Sequence, residues 1–208
     1  MYDFLADLDG YFCEKYSNYD KLCILPGYRM PVMQESTIDE FGRTVSYTLP
    51  ADTMRLALQE NKDELLKILK ARMADKEFSF SFTPVRFFKR IKHKFSKVAP
   101  YKILEKVLER YKIDKTEILT ELNIDKEIWD TICKGKFSPT KNAIISLALV
   151  GHISTEDTKA LLAVNGYAFD FTSARDVVFA YLLENKVFAR PMMDAAFNEY
   201  KISNLFIK

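Results

Sequence analysis

The side chains best suited to nucleophilic or metal chemistry are few and scattered in this 208-residue chain: His93, His152, Cys13, Cys23 and Cys133. A metal site needs several ligands at short spacing, and neither histidine has a Cys, Asp or Glu so placed. Asp7-Leu8-Asp9-Gly10 has the opening acids of a calcium loop but lacks the third ligand and the closing glutamate. The runs Gly-x-x-x-x-Gly-Lys, Gly-x-Gly-x-x-Gly and Gly-x-Ser-x-Gly are absent, and 6 glycines leave little material for a phosphate-cradling loop. The expectation is a non-enzymatic protein without metal or cofactor, its histidines serving as surface or cap residues. An odd number of widely spaced cysteines fits reduced, partly buried thiols.

One run concentrates charge. Val85 to Lys97 carries Phe87, Phe88, Ile91 and Phe95 among Arg86, Lys89, Arg90, Lys92, Lys94 and Lys97, with no acid. Helical spacing predicts one buried stripe of the four apolar residues, leaving Lys89, Lys92 and Lys97 together on the wet face. Such a face suits nucleic acid, an acidic partner or anionic lipid, or is simply solvated and paired with acids of the segment Thr53 to Met73. Over the whole chain, 31 Lys and Arg against 29 Asp and Glu leave a net charge of +2, too small to imply such partners by itself.

Sequence pattern also places the elements that must position these residues. Residues 2 to 16 put Phe4, Leu5, Leu8, Tyr11 and Phe12 at helical spacing, and Pro26, Gly27 and Pro31 break the next segment. Thr44 to Leu49 and Phe78 to Phe82 alternate as short strands, with Gly42 available for a turn. Between them, Thr53 to Met73 has the pattern of one long amphipathic helix. From Tyr101 the chain reads as wholly helical. Asp114, Ser154 and Ser173, each three residues before an acid, mark helix starts, and Pro139 marks another as a first helical residue. Asp176 to Leu183 and Met192 to Tyr200 read as two last helices. No apolar stretch approaches the roughly 18 residues of a membrane span, and the acidic start is unlike a signal peptide, so a cytoplasmic protein is expected.

Within the helical half, Ile128-Trp129-Asp130-Thr131-Ile132-Cys133-Lys134-Gly135-Lys136-Phe137-Ser138-Pro139-Thr140, with Ile144 to Leu149 after it, resembles the five-helix DNA-binding domain of the lambda-repressor and Cro type. The resemblance covers about residues 101–167 and rests on Gly135, Lys136, Pro139, Leu147 and Ala148. It implies a recognition helix ending at Gly135 and DNA contacts from Lys126, Asp130, Thr131, Lys134, Lys136, Lys141 and Asn142. Asp125, Glu127 and Asp130 depart from that expectation, since carboxylates repel phosphates. Trp129 and Ile132, three apart, belong on the inward face. The helical C-terminal half also resembles accessory regions of otherwise uncharacterised proteins from Gram-positive gut bacteria.

The fold expected is mainly α. A mixed α+β part, 1–99, holds two or three short strands and the basic helix 85–97; it is joined near Ala99-Pro100 to a lambda-repressor-like multi-helix domain, 100–208, with two additional helices at its end. The function expected is that of a bacterial cytoplasmic regulator binding DNA through the helix-turn-helix with help from the basic helix. The alternative is an adaptor for a protein partner, built on a helix-turn-helix scaffold that no longer binds DNA.

Overall fold

The computed structural model describes residues 3–32, 34–48, 55–74, 82–96 and 98–203. Among them are eleven helices and four short strands in two separate two-stranded sheets, a mainly helical protein with a small α+β part. The chain divides into two compact units, Met1–Met73 with Asp170–Val177, and Ala74–Phe169 with Val178–Lys208. The basic helix therefore belongs with the helical unit, and Ala99-Pro100 lies inside that unit rather than at a junction.

In the first unit, α1 (Phe4–Lys15) starts on the Asp3 carboxylate, which accepts from the amides of Leu5 and Ala6, and it buries Leu8, Phe12 and Cys13. Helix α2 (Tyr19–Cys23) is capped by Asn18. The Asn18 amide also donates to Thr172 O at 3.2 Å, and Ser17 N donates to Phe171 O at 3.0 Å, which ties the 170–177 segment to this unit. Strands β1 (Gln34–Ile38) and β2 (Thr44–Thr48) pair antiparallel around Asp39, which accepts from the amides of Phe41 and Arg43, with Gly42 at φ +75°. Strand β2 thus pairs with a neighbour the sequence pattern did not mark.

The long helix expected over Thr53 to Met73 is shorter. Residues 53 and 54 lie outside the described residues, Leu56–Leu58 form a single 3-10 turn, and α3 runs Lys62–Arg72. The interruption is caused by a partner distant in sequence. Gln59 is extended and buried, and its side-chain amide clasps the backbone of Arg29 on both sides, accepting from Arg29 N and donating to Arg29 O. Helix α3 buries Leu65, Leu66 and Leu69, and Lys70 reaches Asp9 of α1 at 2.6 Å.

The second unit opens with β3 (Phe82–Pro84), of which only Phe82 belongs to the expected strand; residues 78–81 lie outside the described residues. Its partner is β4 (Phe137–Pro139), in register Phe82↔Pro139, Thr83↔Ser138 and Pro84↔Phe137. The C-terminal half is therefore not wholly helical. Pro139 ends this strand instead of opening a helix, and Thr140 caps the next helix by accepting from Ala143 N.

Between the strands come α4 (Phe87–Phe95), α5 (Pro100–Arg110), α6 (Lys115–Glu121) and α7 (Lys126–Cys133); after them come α8 (Lys141–Val150), α9 (Thr155–Val164), α10 (Ala174–Glu184), which belongs to this unit from Val178 on, and α11 (Arg190–Glu199). Asp114 and Ser154 cap α6 and α9 as their spacing predicts. The core gathers Leu104, Leu108, Ile118, Trp129 and Ile132 around α8, whose residues Ala143 to Leu149 are all buried.

One device ends most of these helices. A residue in the left-handed region is succeeded by a residue whose amide returns to a carbonyl five positions back. Lys112, Asn123, His152, Lys186 and Lys201 have φ between 48° and 54°, and Ile113, Ile124, Ile153, Val187 and Ile202 donate to Leu108, Leu119, Ala148, Leu182 and Phe197. The returning amide of each turn satisfies a terminal carbonyl, which offsets the strain of a left-handed residue that carries a side chain.

Candidate interaction surfaces

Helix α7 and its surroundings hold the residues the sequence marks for DNA. Asp125 caps α7 by accepting from Glu127 N at 2.7 Å, which fixes this carboxylate at the N-terminus of the helix. Lys126, Glu127 and Asp130 are exposed, as is Ile128. Thr131 is half-buried, and its hydroxyl donates back to Glu127 O at 2.7 Å. Trp129 and Ile132 are buried, as their spacing predicts, and the Trp129 indole N–H has no partner. The outward face of α7 is therefore rich in carboxylates at its N-terminal end.

The C-terminal end of α7 differs. Lys134 and Lys136 flank Gly135, whose φ of +66° lets Lys136 N return to Thr131 O at 3.0 Å. A Cβ at Gly135 would lie 2.6 Å from the Tyr101 ring, so at this turn, unlike the five that carry side chains, space as well as conformation favours glycine. Lys141 and Asn142 open α8 and are half-buried. Val85 N donates to Lys136 O at 2.8 Å, which brings the root of the basic helix beside Lys136. In sequence these two basic segments are separate; the β3–β4 pairing joins them.

Helix α4 reverses its sequence expectation. Phe87, Phe88, Ile91 and Phe95 form a stripe, but it is exposed: 67%, 84%, 43% and 82% of these residues' surface is open, and no residue of α4 is buried. At about 100° of rotation per residue the four fall within an arc of roughly 100°, and His93 stands nearly opposite its centre. His93 is the helix's one half-buried residue, lining a small open apolar cleft with Tyr101, Leu104, Ile132, Leu147 and Asn165. Burial, then the charges of Lys89 and Lys92, hold its imidazole below the usual value. The helix thus meets the protein through its polar side and turns its apolar side outward. Arg86, Lys89, Arg90, Lys92 and Lys94 are exposed, Lys97 lies outside the described residues, and among the described residues no acid makes an ion pair with these cations.

The other chemically capable side chains do not assemble into a centre. Among the described residues, no group of three or more His, Cys, Asp or Glu could hold a metal ion. The cysteines form no disulfide; Cys13 is buried, its thiol pushed up to about 11 by burial and then by the charge of Asp9. His152 is exposed and stacks on Phe188 with ring centres 4.6 Å apart. No helix among the described residues is long and apolar enough to cross a membrane.

Comparison with known protein families, with curated proteins and with solved structures finds no match for this chain.

Proposed function

We propose that this is a non-enzymatic docking protein of the bacterial cytoplasm, in which α4 is the binding element and the helix-turn-helix-like helices α5 to α9 are its scaffold. The observation that carries this reading is the outward stripe of α4. Three phenylalanines and an isoleucine exposed together on one side of one helix far exceed the scattered single apolar residues of an ordinary surface and mark an interaction site. The acidic start of α7 supports the scaffold role, because Asp125, Glu127 and Asp130 would repel the phosphates a recognition helix must approach.

Photoreactive phenylalanine placed at position 88 tests the reading in the cell that makes the protein, with the same probe at Ile128 of α7 as the contrast. Cross-links to a partner protein or to lipid from position 88, with none to nucleic acid from position 128, are expected. Nucleic-acid adducts at 128 together with silence at 88 would overturn it.

A second reading, DNA binding, is favoured by one observation: Val85 N on Lys136 O joins Arg86 and the α4 cations to Lys134 and Lys136. On that reading, labelled duplex binds at low salt, and charge reversal at Lys134, Lys136 and Lys141 flattens the salt dependence by roughly one unit of slope per lost phosphate contact. Affinity unchanged by the three reversals removes it.

A further inference from the structure

We infer that α4 is a membrane-surface helix, which seats the Phe87, Phe88, Ile91 and Phe95 stripe at the headgroup–acyl boundary of a bilayer rich in anionic lipid. This rests on the docking reading and names the partner of that surface.

The shape of α4 supports a bilayer. All its residues but His93 are exposed, so it presents a convex ridge with no wall beside the stripe. A fluid lipid surface conforms to a ridge, and the exposed phenylalanines and isoleucine, with the neighbouring Val98 at 68%, offer on the order of 500 Å² of apolar area to bury in it. Interfacial helices of this kind combine aromatic and aliphatic residues on one face with lysine and arginine around it.

Charge supplies the second argument. Residues 78–104 contain no Asp or Glu. By rotation of about 100° per residue, Lys92 and Lys94 border the stripe on its two edges, with Lys89 and Arg90 behind them. Cations on both borders of an inserting stripe reach the headgroup phosphates while their methylene stems lie along the acyl boundary. The same cations exclude a second copy as occupant, because two stripes face to face would bring the like-charged borders together. A nucleic-acid duplex matches the cations but gives the four apolar side chains nothing to bury against.

The docked side of the helix fits the same use. His93 faces the apolar cleft, and burial there, then Lys89 and Lys92, lower its pKa, so the residue that helps seat α4 on the protein favours its neutral form. The helix is held by His93 and by the Lys102 ammonium, which donates to Lys94 O at 2.9 Å, and neither contact covers the stripe, which is left open to insert.

Full-length protein is sedimented with phosphatidylcholine vesicles, with or without roughly 30% phosphatidylglycerol, at low and high salt. The expected result is binding to the anionic vesicles, roughly tenfold weaker to the neutral ones, and weakened by salt. The double variant Phe88→Ser, Phe95→Ser changes only exposed side chains; it is expected to melt like the parent and to lose at least about tenfold in vesicle affinity. Lys89→Glu with Lys92→Glu should lose binding to the anionic vesicles alone. A Phe95→Trp variant should shift its emission to the blue on binding as the indole leaves water.

Absence of binding to the anionic vesicles overturns the inference, and so does binding that Phe88→Ser, Phe95→Ser leaves unchanged, which is electrostatic adsorption without insertion. If vesicles fail while position 88 cross-links to a protein, the membrane assignment falls and the docking reading stands. Silence in both experiments removes both.

Discussion

Helices α4 and α8 belong to the same compact unit and are nearly equal in length, nine and ten residues, yet α8 buries seven and α4 none. The difference follows from how apolar residues are arranged. In α8, Ala143 to Leu149 are apolar on all sides but for Ser146, so no orientation exposes a polar face, and the helix can only be central. In α4 the apolar residues share one side and cations fill the rest, so the helix has two stable orientations and its periodicity does not choose between them. Docking by the polar side is possible because His93 suits the apolar cleft when neutral.

The largest effect that would break this contrast is in α8. Ile145 is fully buried, and Ile145→Ala should destabilise the protein by roughly 3 kcal/mol in chemical denaturation, whereas Phe95→Ala should stay within about 0.5 kcal/mol. A comparable loss from Phe95→Ala would mean that the stripe of α4 is covered in solution.

Next in size is Gly135→Ala, at the end of α7 beneath the cleft that His93 lines. A left-handed φ and a Cβ 2.6 Å from the Tyr101 ring should together cost roughly 2 kcal/mol. A crystal structure of the variant should show the Tyr101 ring displaced, and a change of less than about 0.5 kcal/mol would mean that the turn tolerates a side chain.

A smaller effect is expected at the clamp beside α8. Arg110 of α5 grips both oxygens of Asp157 in α9 at 2.6 and 2.8 Å, and Tyr111 donates to one of them at 2.8 Å while accepting from Ser154 N. Burial alone would raise the Asp157 carboxyl, but these hydrogen bonds outweigh it and hold the group below its ordinary 3.8. A carboxyl lowered on folding contributes stability that is present above its unfolded pKa and is lost as pH falls through the folded one. Asp157→Asn should therefore cost about 1 kcal/mol at pH 7, and the difference from the parent should shrink below about pH 4 in denaturation titrations. A pH-independent difference would assign the loss to packing.

Much of the helical unit was legible in the sequence. The caps Asp114 and Ser154, the turn at Gly135 and the inward pair Trp129 and Ile132 obey local rules and stand where those rules put them. The illegible features depend on distant partners. Phe137–Pro139 is a strand only because Phe82–Pro84, more than fifty residues away in sequence, pairs with it, and Pro139 there serves the pairing rather than a helix start. Gln59 breaks a helical pattern because Arg29 needs its amide. The helix ends at Lys112, Asn123, His152, Lys186 and Lys201 put a side-chain-bearing residue, not glycine, in the left-handed position, and their signal is the isoleucine or valine one position later. For the candidate site, residue types and spacing revealed the stripe of α4; its direction depended on the fit of one histidine to a cleft built from other helices.

That histidine provides the smallest expected effect and the one that bears most directly on the contrast. Burial first, then Lys89 and Lys92, lower the His93 pKa below 6.5 in the folded protein. A group so lowered binds its proton more readily when undocked, so the contact is fully present above the undocked pKa and weakens as pH falls through it toward the folded value. Amides of α4 should then lose hydrogen-exchange protection relative to those of α8 as pH falls through the ordinary histidine range and below it, once intrinsic rates are removed. His93→Gln should abolish that pH dependence while leaving α8 unchanged. Protection of α4 that does not vary with pH in the parent would show that the helix is held by something other than His93, and the outward direction of its stripe would need another cause.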